Sequence, residues 1–153
     1  GYQYKGVFNT IIVVASISMR FVAGKASDRF GREPILAIGG FLLFLGMGIL
    51  SYSTTQLWAA IGGVVYGLSI GINMPTIFAW TADLAPKGKI ALAIGTTLVS
   101  LELGIGLGAF ISGSLFSSDY TWLPLLYRFC AISGLIMALV LLFAKRKPMT
   151  SVN

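Results

Sequence analysis

Apolar residues dominate five stretches of the chain, 7–23, 35–52, 57–82, 90–116 and 124–144, and polar residues collect in the short breaks between them. Each stretch has about the length, ~20 residues, that an α-helix needs to cross ~30 Å of hydrocarbon. The pattern predicts an all-α membrane protein with five transmembrane helices. Breaks this short predict that neighbours in sequence pack as antiparallel hairpins.

Composition sharpens the picture. Hydrophobic residues make up 56% of the chain and charged residues 10%, against ~25% charged in a soluble domain. A chain of 153 residues leaves much of its surface outside any core, so that surface must face lipid. The lipid bilayer is therefore the first partner. The net charge is +6, but most of the 11 basic residues gather in the short breaks, as membrane topology requires, rather than along a phosphate-binding face. That argues against a nucleic-acid partner. With no histidine, imidazole metal sites and His-dependent nucleophilic catalysis are excluded, and the lone Cys130 excludes an internal disulfide. No phosphate-binding G-x-x-x-x-G-K-[ST] loop is present, and no enzyme activity or cofactor is expected.

The basic residues also predict direction. Lys25, Arg29 and Arg32, then Lys87 and Lys89, then Lys145, Arg146 and Lys147 fall on one side, eight in all. The opposite side holds the uncharged 53–56 break, the 117–123 break with Asp119, and two exceptions, Lys5 and Arg128. The positive side is cytoplasmic, which puts the N-terminus outside and the C-terminus in the cytoplasm, in a plasma membrane of bacterial inner-membrane type. No cleavable leader is visible, and the opening Gly1-Tyr2-Gln3 without an initiator Met reads as a cut from a longer protein.

The first break reads Gly24-Lys25-Ala26-Ser27-Asp28-Arg29-Phe30-Gly31-Arg32-Glu33-Pro34. It resembles the G-x-L-A-D-R-x-G-R-[RK] signature of the major facilitator superfamily of secondary transporters. Gly24, Asp28, Arg29, Gly31 and Arg32 match, and Arg20 belongs to a common extension of the pattern. Ala26, Ser27 and Glu33 depart from it. The resemblance implies that Arg20, Asp28, Arg29 and Arg32 latch the cytoplasmic side. The alternative is an ordinary positive-inside loop. The family repeats a six-helix unit, so five spans imply a partial six-helix bundle that lacks its first helix, with the N-terminal half of the same transporter missing. The third span carries Gly63, Tyr66 and Gly67 without the arginine of the R-x-x-Q-G pattern of helix four, and the chain closes on a short basic tail. Both favour helices eight to twelve. Gly104, Gly106, Gly108 and Gly113 with Ala109 and Ser112 are similar to a degenerate antiporter motif.

Polar residues inside the spans supply the candidate chemistry. Glu102 lies near the middle of the fourth span, where an acid costs at least ~2.5 kcal/mol. It is either a proton-coupling carboxylate or a structural acid hydrogen-bonded between helices. In the third span Gly63, Gly67 and Gly71 recur every four residues and predict close helix packing. Tyr66, Ser69, Asn73, Thr76 and Trp80 form a separate polar-aromatic stripe, either a substrate surface or buried interhelical hydrogen bonding. Pro75 predicts a bend there. Asn9 and Ser16 share a face of the first span, as cavity or packing residues. The function these features imply is secondary active transport of a small solute by alternating access, coupled to protons and favouring efflux. Rival readings are a sugar-type uptake symporter, a non-transporting scaffold subunit, and a membrane enzyme using Glu102 as an acid.

Overall fold

The computed structural model describes residues 2–116 and 122–143, and five helices account for nearly all of them. They are α1 (Tyr2–Phe30), α2 (Arg32–Ser51), α3 (Gln56–Leu84), α4 (Ile90–Phe116) and α5 (Leu123–Phe143). All five are long and apolar enough to cross a membrane. The tail Lys145–Lys147 and Asp119 lie outside the described residues.

Helices α2 to α5 end within three residues of their apolar stretches, whereas α1 runs on well past residue 23. The 24–34 segment was expected to be a loop, yet it is helical through Phe30 and breaks only at Gly31. Its residues Lys25, Ala26, Ser27, Asp28 and Arg29 are compatible with a helix; their charge marks the membrane edge, not the end of hydrogen bonding. Gly31 has φ +95° and ψ 158°, a conformation essentially reserved for glycine that costs a residue with a Cβ ~1–3 kcal/mol. The remaining turns are similarly economical. Tyr52 and Ser53 N–H groups close on the Ile49 and Leu50 carbonyls at the end of α2, and Thr55 caps α3 by accepting from Trp58 N–H. Gly88, at φ +81°, turns the chain into α4.

Packing follows the small residues. α3 lies against both α1 and α2, and α2 also lies against α5. Gly67 and Gly71 let α1 approach so closely that a Cβ there would sit 2.6 Å from the Ile12 carbonyl oxygen and 2.5 Å from that of Ser16. Gly40 and Gly134 do the same reciprocally for α2 and α5, each facing the other's carbonyl at 2.9 Å from a built Cβ. Ala23, Ile35 and Ile72 form a small buried cluster with Met19, Ala26 and Leu42 packed against it. Large side chains such as Phe21, Phe110 and Phe143 point outward, as lipid contact requires.

The hairpin expectation needs correction. α2 and α3 pair extensively, but α1 barely touches α2, and α4 meets α3 only lightly. The glycines decide this, because close approach is available only where a helix presents a smooth groove. Gly104, Gly106, Gly108 and Gly113 have nothing within 4 Å of a built Cβ, so the glycine face of α4 is uncovered by the described residues.

Candidate functional site

Two regions hold the polar residues that the sequence singled out. The first lies where α1, α2 and α3 end together. Arg32, the first residue of α2, donates from Nε to Asp83 Oδ2 on α3 at 2.8 Å. Its other arm donates to Ser27 Oγ at 3.0 Å and to Asp28 Oδ1, both on α1. One planar guanidinium thus joins three helices, which suits arginine's fixed fork of donors.

Each charge in this cluster stands at the unfavourable end of its helix. Asp28 and Asp83 occupy last turns, where the macrodipole disfavours anions, and Arg32 occupies a first turn, where it disfavours cations. Mutual pairing offsets those penalties. Side-chain exposures of 21% for Arg32, 67% for Asp28 and 45% for Asp83 keep each pair in the ~0.2–1 kcal/mol range of exposed ion pairs. The cluster therefore biases the arrangement of the three helices without locking it. Glu33, in the first turn of α2, suits the dipole directly.

Arg32 takes Asp28, whereas Arg29 lies over the Phe30 ring with its Cζ 5.5 Å from the centroid. Arg20 and Gly24 lie on α1, Arg20 exposed and Gly24 with no neighbour that a Cβ would meet. Two participants escaped the sequence reading. Ser27, a departure from the signature, is 2% exposed and accepts from Arg32. Asp83 stands at the edge of a break weighed only for its lysines. Its rarity was the available signal, because the chain has just five acidic residues.

The second region is the stripe on α3, which faces α2. Ser69 is fully buried and donates to the Gly39 carbonyl at 2.8 Å, while Asn73 Nδ2 donates to Ser69 Oγ at 3.2 Å. Thr76 is buried and donates to the Ile72 carbonyl at 2.7 Å, a back-bond beside Pro75 within an unbroken helix. The hydroxyls of Ser69 and Thr76 are therefore committed to carbonyls. Asn73 Oδ1 is buried with no partner, an arrangement that costs ~1–3 kcal/mol. Tyr66 and Trp80 are half-buried on the same helix. On α1, Ser16 is buried where its backbone meets Gly71, and Asn9 is exposed. Glu102 is on the uncovered part of α4, exposed, with no hydrogen-bond or ionic partner among the described residues. The nearest polar link from α4 to the rest is Thr97 Oγ1 with Thr81 Oγ1 at 3.1 Å.

Comparison with known proteins adds the relatives. The family model of the Major Facilitator Superfamily matches residues 3–153. A D-xylose transporter from Levilactobacillus brevis is 26% identical over 149 residues, covering 97% of this chain and 32% of the relative. The multidrug resistance protein MdtM from Escherichia coli K12 is 33% identical over 107 residues, covering 64% of this chain and 26% of MdtM. The multi-drug resistance efflux pump PmrA from Streptococcus pneumoniae serotype 4 is 26% identical over 110 residues, covering 72% of this chain and 27% of the pump. The chain spans about a third or less of the length of these relatives.

Proposed function

The chain belongs to the Major Facilitator Superfamily, and from that premise we propose that it forms part of a secondary transporter that moves a small solute by alternating access. The observation that carries this reading is the Arg32 cluster. It ties α1, α2 and α3 at one end through contacts weak enough to break and re-form in each cycle. On the charge bias, that end is cytoplasmic, and similarity to bacterial relatives supports a membrane of bacterial inner-membrane type.

In this proposal the five helices are helices eight to twelve, and the opposing half of the transporter supplies the other wall of the cavity. The uncovered face of α4, with Glu102 and the glycines from Gly104 to Gly113, is then available to that wall. Tyr66 and Trp80, both half-buried, are the members of the α3 stripe best suited to meet substrate, and Asn73, whose unpaired carbonyl is buried against Gly39, would join them when α2 shifts. Ser69 and Thr76 set the backbone that holds them. Asn9 and Ser16 would contribute from α1. Glu102 is the candidate that couples transport to protons, the one acid deep in a span and on the face open to the opposing half.

Efflux is the preferred direction, supported by the degenerate glycine motif and by similarity to MdtM and PmrA. Uptake of a sugar is a second reading, supported by similarity to the D-xylose transporter over nearly the whole chain. The deciding experiment is flux in proteoliposomes of the whole transporter containing this chain, with and without a pH gradient. Glu102→Gln is expected to abolish gradient-driven flux while preserving downhill exchange. Full gradient-driven flux in that variant overturns the coupling role. Absence of any flux from the unsubstituted protein, across sugars and cationic drugs, returns the scaffold reading.

A further inference from the structure

The end of the bundle opposite the Arg32 cluster holds a cation that lies outside the residues proposed above for transport. Arg128 sits in the second turn of α5, and among the described side chains it is the basic residue at this end. Its position runs against both the positive-inside bias and the dipole of α5. Arg128 Nε donates to Ser51 Oγ at 3.2 Å, and Ser51 Oγ in turn donates to the Pro124 carbonyl at 3.0 Å. The guanidinium carbon lies 4.9 Å from the centroid of the Tyr52 ring. Both terminal amino groups of the guanidinium have no partner among the described residues.

Tyr52 also borders a groove of about 430 Å³ between the end of α2 and the start of α3. Phe44, Leu45, Gly48, Ile49, Thr54 and Trp58 complete its wall, a mostly apolar lining with aromatic groups at the interfacial level. The volume falls in the ~300–1,000 Å³ range of ligand sites. Apolar groove and unpaired cation therefore meet at one tyrosine.

We propose that this end binds an anionic phospholipid, an acyl chain in the groove beside Trp58 and Gly48 and the phosphate on the terminal amino groups of Arg128. Charge complementarity selects the lipid. A zwitterionic headgroup brings its own cation to the guanidinium, whereas a phosphatidylglycerol phosphate leaves its charge free for paired donors. Ser51 and the Tyr52 ring hold the guanidinium in place, so little ordering is left for binding to supply. The site is independent of whether the chain transports.

The test uses the full chain with Trp80→Phe and Trp122→Phe, which leaves Trp58 as its sole tryptophan. It is reconstituted in dioleoyl-phosphatidylcholine vesicles containing either dibrominated phosphatidylglycerol or dibrominated phosphatidylcholine at equal mole fraction. Bromine quenches Trp58 when an acyl chain occupies the groove. The glycerol lipid is expected to be favoured about five-fold, the effect of one basic group near a membrane surface. Arg128→Gln should bring the two lipids to parity, Arg128→Lys should retain a preference, and Gly48→Leu should weaken quenching by both. In the unsubstituted chain, raising salt from about 0.1 M to about 1 M should erode the preference, because the screening length falls from ~10 Å to ~3 Å. Equal quenching by the two lipids, a preference that survives Arg128→Gln, or one indifferent to salt overturns the proposal.

Discussion

Replacing Gly67 by Ala tests the α1–α3 contact on which the bundle rests. The added Cβ would lie 2.6 Å from the Ile12 carbonyl oxygen and 3.0 Å from Ala15 Cβ. The first of these is backbone, so no change of rotamer relieves it, and the helices must part by several tenths of an ångström. Overpacking of this kind costs ~1–3 kcal/mol, against which Ala returns up to ~1 kcal/mol of helix propensity in water. A net loss of ~1–2 kcal/mol is expected. Gly71→Ala should match it, because the Ser16 carbonyl stands 2.5 Å from the new atom. Gly63→Ala should cost less, since it meets the ring edge of Phe8, which can turn. Gly106→Ala meets nothing within 4 Å and should be neutral or slightly stabilising in this chain. The assay is unfolding in mixed micelles of rising dodecyl sulfate fraction, followed by tryptophan fluorescence. Equal midpoints for the Gly67 and Gly106 variants would refute the packing argument.

Other expectations follow from the same geometry. Arg32→Lys should weaken the cluster nearly as much as Asp83→Asn, because one ammonium cannot serve Asp83, Asp28 and Ser27 together. A double-mutant cycle on Arg32 and Asp83 should give ~0.2–1 kcal/mol of coupling, and zero coupling removes the latch. Gly31→Ala should cost ~1–3 kcal/mol through its φ of +95° and ψ of 158° while Gly24→Ala costs nothing, a difference that thermal melts in detergent would resolve. Thiols at the exposed positions Lys87 and Thr54 should label from opposite sides of intact cells, the first from within. Labelling of both from one side rejects the orientation.

The five spans were legible because an apolar run of that length has few alternative uses. The Gly63–Gly67–Gly71 stripe was also legible, since small residues at a period of four admit a helix whatever helix it is. What a stripe faces is another matter. The period of Ser69, Asn73 and Thr76 follows from their numbers, but their partner, the Gly39 region of α2, follows from how α2 turns after Gly31. The end of α1 was misjudged because charge reports the membrane boundary and hydrogen bonding continues past it. Asp83 went unnoticed because a count of positive charge has no place for the acid that pairs with it.

The pairing of α2 with α5 has a consequence for biosynthesis. Gly40 fits against Gly134, yet the ribosome delivers that partner only after α3 and α4 have emerged. At ~5–20 residues per second the nascent α2 waits roughly 5–20 s with its groove open. During that interval the translocon, passing lipid or a quality-control protease has access to a surface the finished protein hides. Substitutions at Gly134 should therefore appear first as poor yield and rapid turnover in the cell, with little defect in the molecules that do mature.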